Sequence, residues 1–281
     1  MYEIFKNILT LSTIGFVITA LLLCLKPVTS KKFPAKWQYY TWVFVVFTML
    51  IPLYKTIPVN EVRKIKFTHS NEAIYTDTTL NIEQTPSPII NNSPSLLENN
   101  ININQKHSIK LSHLLSYLWF FGMCIYILII VFSYIHYIVR KNQSAVTVAE
   151  NSILNEVKKE LKIKRNIKIR ITPDIQSPML VGILIPTIYI PCREITDENL
   201  RMVFLHELTH YKRKDLIIKW IALLVNAIHW FNPLTYLLCA NLSEACEVSC
   251  DMEVTKNMSH SEQNLYMKTI LDLVEKEENR C

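Results

Sequence analysis

Hydrophobic residues are grouped into long blocks along the first half of the chain. Residues 7–25, 37–54 and 111–139 are three runs that contain no Asp, Glu, Lys or Arg. Each run reaches or nearly reaches the ~20 residues that a helix needs to cross the hydrocarbon core of a bilayer. Aromatic residues near both ends of the second run fit the two interfaces of a membrane. We therefore predict a mainly α membrane protein with three transmembrane helices.

Basic residues beside these runs predict how the helices are oriented. They lie in the connection within residues 1–54 and directly after the third run, as Lys26, Lys31, Lys32, Lys36, Arg140 and Lys141. Because short cytoplasmic loops are enriched in Lys and Arg, we expect both segments to be cytoplasmic. Residues 55–110, rich in Asn, Ser, Thr and Pro, are then an extracellular polar loop, expected to be either a poorly ordered connection or a docking loop. We assign the net charge of +6 to the basic loops, so direct nucleic-acid binding is not expected.

The pattern after the third run is typical of a compact α+β domain, predicted for residues 140–281. Residues 152–161 have apolar positions at helical spacing, and residues 167–171 alternate between apolar and charged side chains as a half-buried strand does. Residues 183–185 and 187–190 are also strand-like, and the prolines around them predict an edge strand of a small sheet. Such an edge could pair with an extended peptide, although an ordinary hairpin fits the pattern equally well.

The most specific motif is His206-Glu207-Leu208-Thr209-His210, which we predict to lie on a helix. Histidines four residues apart share one helical face, from which both can reach one Zn²⁺. Glu207 lies beside the first histidine, where its carboxylate can accept a proton from water on the metal. Because so short a motif also occurs by chance, its surroundings decide. The uncharged apolar residues before it and the acidic cluster after it favour a zinc metalloprotease over two surface histidines on an exposed helix.

A catalytic zinc site needs a third protein ligand and leaves one position open. Glu244, Glu247 and Asp251 are spaced to line one face of a downstream helix. We predict that Glu247 is the third ligand and that Asp251 orients a histidine ring, with Glu244 as the alternative ligand. The seven scattered cysteines indicate no disulfide framework. However, Cys246 and Cys250 share a helical face and leave a second metal-binding pair open.

The stretch between the histidines and this acidic cluster is apolar and long enough to span a membrane. A continuous helix would carry Glu247 roughly 36 Å from the histidines, at about 1.5 Å per residue. The Asn-Pro pair at 232–233 offers a turn, because proline ends a helix and the pair favours reversal. We therefore predict a doubled-back hydrophobic hairpin over residues 216–250, with helices at 216–231 and 234–250.

Four segments of the chain resemble the bacterial membrane metallopeptidases of the BlaR/MecR type, the beta-lactam sensor-transducers. The matching segments are SPMLVG at 177–182, HELTHYKRKD at 206–215, IHWFNP at 228–233 and CEVSCD at 246–251. Together they cover about residues 110–255, and three spans before the protease portion agree with the family as well. The family's sensor proteins continue into a further span and an extracellular penicillin-binding domain. This sequence ends at Cys281, so it resembles the protease portion without that sensor domain.

The resemblance implies a gluzincin-like zinc protease domain on the cytoplasmic side of the cell membrane. Its metal ligands would be His206, His210 and Glu247, and Glu207 would be the general base. The resemblance also implies that the protein cleaves a transcriptional repressor and so induces antibiotic-resistance genes. The expected partners are this protein substrate and the lipid bilayer, and a homodimer or a separate sensor partner is left open.

The sequence leaves the oxyanion donor and the wider function open. Tyr211 and His229 are candidates for the donor that stabilises the tetrahedral oxyanion of peptide hydrolysis. Two rival functions fit the same motif: a signalling scaffold whose zinc is structural, and a general quality-control protease of the membrane. The presence of Glu207 favours an enzyme over the scaffold, because a purely structural zinc site has no use for a general base.

Overall fold

The computed structural model describes residues 1–51, 96–148 and 151–278, with side chains described for 1–51, 111–148 and 151–273. Within these ranges the chain forms eight α-helices and a four-stranded sheet. It is therefore mostly helical with a small mixed sheet, as the hydrophobic pattern predicts.

The first three helices are α1 (Tyr2–Lys32), α2 (Ala35–Leu50) and α3 (Leu96–Gln143). Two stretches are long and apolar enough to cross a membrane, namely α1 and residues 111–143 of α3. Many of their large apolar side chains are exposed, among them Val17, Leu21, Leu114, Phe121, Leu128 and Phe132. An exposed apolar surface of this extent is typical of helices that contact lipid or another protein.

The second predicted span differs from this picture. Helix α2 has 16 residues, which is about 24 Å of helix and short of the ~30 Å hydrocarbon core. Residues 52–54 of the predicted span lie outside the described residues, as do residues 55–95 of the predicted loop. Residues 96–110, also assigned to that loop, are helical and open α3. The described residues thus support two transmembrane helices, and the third is not confirmed.

The sheet has the strand order β1-β2-β4-β3. Its strands are β1 (Val146–Val148), β2 (Lys168–Thr172), β3 (Met179–Val181) and β4 (Thr187–Pro191). Strands β2 and β4 are parallel, whereas β1 with β2 and β3 with β4 are antiparallel. The predicted strand at 167–171 is confirmed as β2. The prediction for 183–185 is wrong, because these residues form a bend between β3 and β4.

The edge-strand prediction also needs correction. Strand β4 lies inside the sheet between β2 and β3, and all five of its residues are buried. Pro191 is tolerated because it stands at the last position of the strand, where it pairs with Thr172. The edge of the sheet on this side is β3 instead.

Five further helices complete the described chain: α4 (Ser152–Glu160), α5 (Asp197–Arg213), α6 (Asp215–Ile228), α7 (Pro233–Thr255) and α8 (His260–Glu278). Helix α4 matches the amphipathic helix predicted at 152–161, and its start is capped by the side chain of Asn151. Helix α5 begins after Thr196, whose hydroxyl accepts a hydrogen bond from the Asn199 backbone. A single residue with left-handed backbone, Lys214, separates α5 from α6.

Helices α6 and α7 form an antiparallel hairpin, as predicted. Near its tip, the hydroxyl of Thr235 donates to the side chain of Asn226 over 2.6 Å. Near its open end, Lys219 donates to Glu247 over 2.9 Å. Asn232 caps α7, which begins with Pro233 at its first position, so the Asn-Pro pair does make the turn. The hairpin therefore returns Glu247 to the level at which α6 begins.

Two hydrophobic cores position the elements around the hairpin. One is formed by α2, α6 and α7, where Trp42, Val46, Val225, Leu238 and Leu242 are buried together. The other lies between α4, the sheet, α5 and α8, with Val157, Ile188, Phe204, Leu208 and Tyr266 at its centre. The carboxyl-terminal half of α5 lies at the junction of the two cores, between α6, α7 and α8.

Candidate metal centre

The two histidines of the sequence motif converge on one face of α5. The Nε2 atoms of His206 and His210 lie 3.1 Å apart. Apolar residues of the same helix, including Phe204 and Leu208, are buried in the core behind them. This packing fixes the roll of α5 about its axis, and so the direction in which the histidines point.

Glu247 of α7 completes a triangle with the two histidines. Its Oε2 atom lies 3.1 Å from His210 Nε2 and 3.5 Å from His206 Nε2. Ligands at about 2.0–2.1 Å in a tetrahedron around zinc lie about 3.3–3.4 Å from one another. The three atoms therefore fit one face of such a tetrahedron, although their role as metal ligands stays a prediction.

Asp251 and Tyr266 bind the other ring nitrogen of His206. The Nδ1 atom lies 2.7 Å from the Tyr266 hydroxyl and 3.2 Å from Asp251 Oδ1. The Tyr266 hydroxyl also donates to Asp251 over 2.6 Å, so the three side chains form a closed group. The structure thus places Asp251 beside a histidine ring, as predicted, and adds Tyr266 from α8.

Asp215 performs the equivalent task for His210. Its Oδ2 atom lies 2.8 Å from His210 Nδ1, and its Oδ1 accepts a hydrogen bond from the Tyr39 hydroxyl over 2.8 Å. Arg213 also reaches Asp215, with 3.2 Å between Nε and Oδ2. The left-handed residue Lys214 makes this possible, because it turns the chain so that Asp215 faces back toward α5. Asp215 is buried, so these partners compensate for its lost hydration.

Glu207 lies beside the triangle at the edge of the sheet. Burial raises the pKa of the Glu207 carboxyl, while the Leu180 backbone of β3 acts against burial and lowers this pKa. Glu207, His206, His210 and Glu247 all line one cavity of about 430 Å³, and residues 177–180 line it as well. A molecule in this cavity can therefore contact the edge strand and the polar cluster at once.

Lys219 of α6 also lines the cavity and neutralises Glu247. Its Nζ atom donates to Glu247 Oε1 over 2.9 Å, while Oε2 of the same carboxylate faces the histidines. The two oxygens of Glu247 are thus held by different partners, which fixes the plane of the carboxylate.

The charges of these groups are strongly linked. Burial opposes protonation of His206, but hydrogen bonds to Asp251 and Glu247 outweigh burial and raise its pKa to about 10. The pKa of His210 is raised in the same way, against burial, chiefly by Asp215. Burial would raise the pKa of Glu247, yet the two histidines hold it far below its usual range. For Glu207, burial is the main cause of a raised pKa. Carboxylates that keep protons on both histidines would also favour a divalent cation in place of those protons.

The two cysteines left open by the sequence lie behind the histidines. Cys246 Sγ is 4.0 Å from His210 Nδ1, the nitrogen that also faces Asp215. Cys250 Sγ is 3.7 Å from the backbone oxygen of His206. Each cysteine belongs to a group that could hold a metal. Cys250 is grouped with His206 and His210, and Cys246 is grouped with His210 and Asp215. Both thiols are buried and neither lines the cavity, so Glu247 offers the more accessible ligand.

Three candidates from the sequence do not lie at the cluster. Glu244 forms an ion pair of 2.6 Å with Lys26 of α1, so it is directed toward another helix. Tyr211 packs its ring against the core around α4 and the sheet. His229 is fully buried at the far end of α6, where its Nε2 lies 3.2 Å from the Met49 backbone oxygen. The spacing of residues along a single helix does not reveal which neighbouring element each side chain meets.

The sequence of the chain matches a known family. The chain belongs to the BlaR1 peptidase M56 family, whose profile matches residues 6–281, so the family predicted from the motifs is confirmed. The methicillin resistance mecR1 protein of Staphylococcus aureus is 29% identical over 250 residues, which are 82% of this chain and 39% of that protein. The regulatory protein BlaR1 of Bacillus licheniformis is 28% identical over 175 residues, 61% of this chain and 29% of that protein. The chain spans less than half the length of these relatives.

Proposed function

We propose that the protein is a zinc metalloendopeptidase of the HExxH type with a gluzincin-like centre. The observation that carries this proposal is the triangle of His206, His210 and Glu247 with Glu207 beside it in one cavity. Two imidazole nitrogens and one carboxylate oxygen are a ligand set of catalytic zinc, which leaves a position for water or substrate. Membership of a peptidase family supports the same assignment.

His206, His210 and Glu247 would hold the zinc ion, and Asp251 and Asp215 would orient the two imidazoles. A zinc ion in this position supplies a Lewis acid that acidifies water and polarises the scissile carbonyl. The hydrogen bonds on both Nδ1 atoms fix the tautomer in which each Nε2 is free to bind a metal. The interactions on both sides of each ring thus serve one purpose, which is to present a lone pair to the centre of the triangle.

Glu207 would be the general base of peptide hydrolysis. Its carboxylate takes the proton of the attacking water and passes it to the leaving amine. Burial raises its pKa, which brings the group closer to the range in which a carboxylate can both accept and return a proton near neutral pH. Leu180 of β3 lines the same cavity as Glu207, so the carboxylate is next to the edge where a substrate would lie.

The edge strand β3 supports a binding mode for the substrate. β3 pairs with β4 on one side only, and residues 177–180 line the cavity. An extended peptide could add to β3 by backbone pairing, which would carry its scissile bond past Glu207 and the metal. Backbone pairing favours an extended protein segment as the substrate over a small molecule.

We place this peptidase in a membrane signalling pathway, with its site on the cytoplasmic side. The basic residues Lys26, Lys31 and Lys32 at the end of α1 and Arg140 and Lys141 at the end of α3 support that orientation. Its relatives are named for methicillin resistance and for regulation. On this basis the substrate is a cytoplasmic transcriptional repressor whose cleavage switches on an antibiotic response.

Glu207→Gln tests the enzymatic part of this proposal. The variant keeps the shape of the side chain but cannot accept a proton, so cleavage should fall by about 10²- to 10⁴-fold. New protein amino termini, identified by mass spectrometry in cells that express the full chain, measure cleavage. Zinc content of the purified protein, measured by atomic emission, should remain the same as in the wild type.

Glu198→Gln is the matched control, because Glu198 is an exposed residue in the first turn of the same helix. It should leave both readouts unchanged. If cleavage persists in Glu207→Gln, Glu207 is not the general base and the proposed mechanism is ruled out. Repressor that co-purifies with this inactive variant would identify the substrate directly.

A further inference from the structure

The turn between β3 and β4 carries three exposed aliphatic residues in a row. Ile183, Leu184 and Ile185 are 40%, 79% and 63% exposed. Gly182 shapes this turn with a φ of +91°, and a Cβ there would clash with the Ile185 backbone oxygen. The conformation thus depends on glycine and holds the three side chains outward. We call residues 182–185 the apolar loop.

Basic side chains surround the apolar loop. Two cavities flank it, and the cations that line them are Lys162, Lys164, Arg165, Lys168, Arg170, Lys212 and Lys214. Arg165 donates a hydrogen bond to the backbone oxygen of Leu184, which ties one of the cations to the loop. Within the described ranges, neither cavity is lined by an acidic side chain.

The apolar loop also lies beside the carboxyl-terminal end of α3. Tyr134 and Ile138 of α3 and Trp220 of α6 line one of the same cavities. The rings of Tyr134 and Trp220 meet edge to face, with centroids 4.8 Å apart. Residues 111–143 are a candidate span, so this aromatic pair stands where amphipathic rings mark a membrane interface. The loop therefore lies beside the end of this candidate span.

We propose that the apolar loop inserts into the membrane surface at the carboxyl-terminal end of α3, and that the surrounding Lys and Arg side chains bind anionic phospholipid headgroups. The chemistry favours a lipid surface because exposed aliphatic side chains ringed by cations match an acyl region bordered by anionic phosphates. This anchor goes beyond the proposed peptidase activity and does not depend on it. It would fix the height and tilt of the sheet relative to the bilayer. Because β3 lines the cavity, it would also fix the position of the cavity.

Tryptophan quenching by brominated lipids tests this insertion. Leu184→Trp in the full chain, reconstituted in nanodiscs of phosphatidylcholine and phosphatidylglycerol, adds one indole at the tip of the loop. The fluorescence added over the wild type should be quenched when the acyl chains are brominated and should resist acrylamide in the water phase.

Leu271→Trp is the matched control. Leu271 is also an exposed leucine, with 63% of its surface exposed, but it lies on α8. The nearby Thr269 donates a hydrogen bond to Asn199, which is at the end of α5 remote from α6. Its added fluorescence should respond to acrylamide and not to brominated lipid. If position 184 behaves like position 271, the insertion is refuted. Protection of position 184 only after a soluble protein partner is added would also refute it and would assign the loop to protein docking.

A second arm tests the charge of the lipid. Replacing phosphatidylglycerol by phosphatidylcholine should lower the lipid quenching at position 184, because the cations lose their anionic partners. The double substitution Lys164→Gln and Lys212→Gln should lower it in the anionic nanodiscs by a similar fraction. Both positions are exposed, so these changes should leave the fold intact, as circular dichroism would show. If neither the change of lipid nor the double substitution alters the quenching at position 184, the proposed binding of anionic headgroups is refuted.

Discussion

At the scale of single residues, each histidine of the triangle has one nitrogen facing Glu247 and the other facing a carboxylate. Asp215 and Asp251 are these carboxylates, and each has a tyrosine hydroxyl as a further partner, Tyr39 for the first and Tyr266 for the second. Such partners hold the imidazole ring and its tautomer before a metal binds. Three further elements, α2, α6 and α8, therefore contribute side chains to a centre whose proposed ligands lie on α5 and α7.

Asp215→Asn should weaken zinc binding by about 10- to 100-fold. The amide can no longer accept a hydrogen bond as a charged group, so His210 loses its orientation and part of its basicity. Competition with a chromophoric chelator measures the affinity of the purified protein. Asp197→Asn, an exposed change in the first turn of α5, is the control and should bind zinc as the wild type does. Equal affinity in both variants would exclude Asp215 as a positioning residue.

Tyr39→Phe should lower the free energy of unfolding by about 1–3 kcal/mol, because a buried carboxylate loses a hydrogen bond. Tyr40→Phe is the control. Tyr40 is the next residue along the chain and is 57% exposed, whereas Tyr39 is 4% exposed. Chemical unfolding in detergent micelles should therefore distinguish Tyr39→Phe from Tyr40→Phe. If the two variants unfold alike, the hydrogen bond to Asp215 contributes nothing measurable.

The residues that were predicted from the sequence share one property, which is local spacing. His206 and His210 are one helical turn apart, and so are Glu247 and Asp251, so helical periodicity alone brings each pair onto one face. Asp215 is only five residues beyond His210, but its direction depends on the left-handed backbone at Lys214, which no periodicity predicts. Tyr39 and Tyr266 reach the centre through tertiary packing, and nothing in the chain around them signals a polar partner.

At the scale of elements, the hairpin of α6 and α7 decides whether a metal centre can form. Helix α6 has 14 residues, about 21 Å, so it is too short to cross the hydrocarbon core before the chain turns. Its tip is held by polar contacts to α1 and α2, including Asn232 with Ser12 and His229 with the Met49 backbone. These bonds satisfy polar groups among apolar helices, where water is scarce.

The hairpin predicts that Lys212 and Met252 are on the same side of the membrane. Cysteines introduced one at a time at these exposed positions, in a chain with Cys24, Cys192 and Cys281 replaced by Ser, should react with an impermeant maleimide in inverted vesicles. A cysteine at Leu111, at the other end of the apolar part of α3, should react in right-side-out vesicles instead. Labelling of positions 212 and 252 from opposite sides would exclude a site shared by His210 and Glu247.

Sequence patterns predicted the elements well where one periodicity dominated, and poorly where tertiary structure chose between alternatives. The alternation at 167–171 became β2, and the Asn-Pro pair gave the hairpin. Residues 183–185 have strand-like composition, yet the positive φ of Gly182 turns them into a bend. The position of β4 inside the sheet could not be inferred either, because strand order is set by long-range pairing.

At the scale of the whole molecule, α2 links the membrane core to the candidate centre. Its buried face packs on α7 through Val46 and Leu242, while Tyr39 reaches Asp215 near the start of α6. A shift of α2 would therefore change both the packing of the helix that carries Glu247 and the hydrogen bonding of His210. The cavity, the edge strand and the apolar loop lie on the same side of this helical core.

The central claim is that His206, His210 and Glu247 hold one zinc ion and leave a position open. X-ray absorption at the zinc edge of the purified full chain tests it most directly. The spectrum should show only nitrogen and oxygen neighbours at about 2.0–2.1 Å, with the scattering pattern of two imidazoles. A sulfur neighbour at about 2.3 Å would instead assign Cys246 or Cys250 to the metal and contradict the proposed centre.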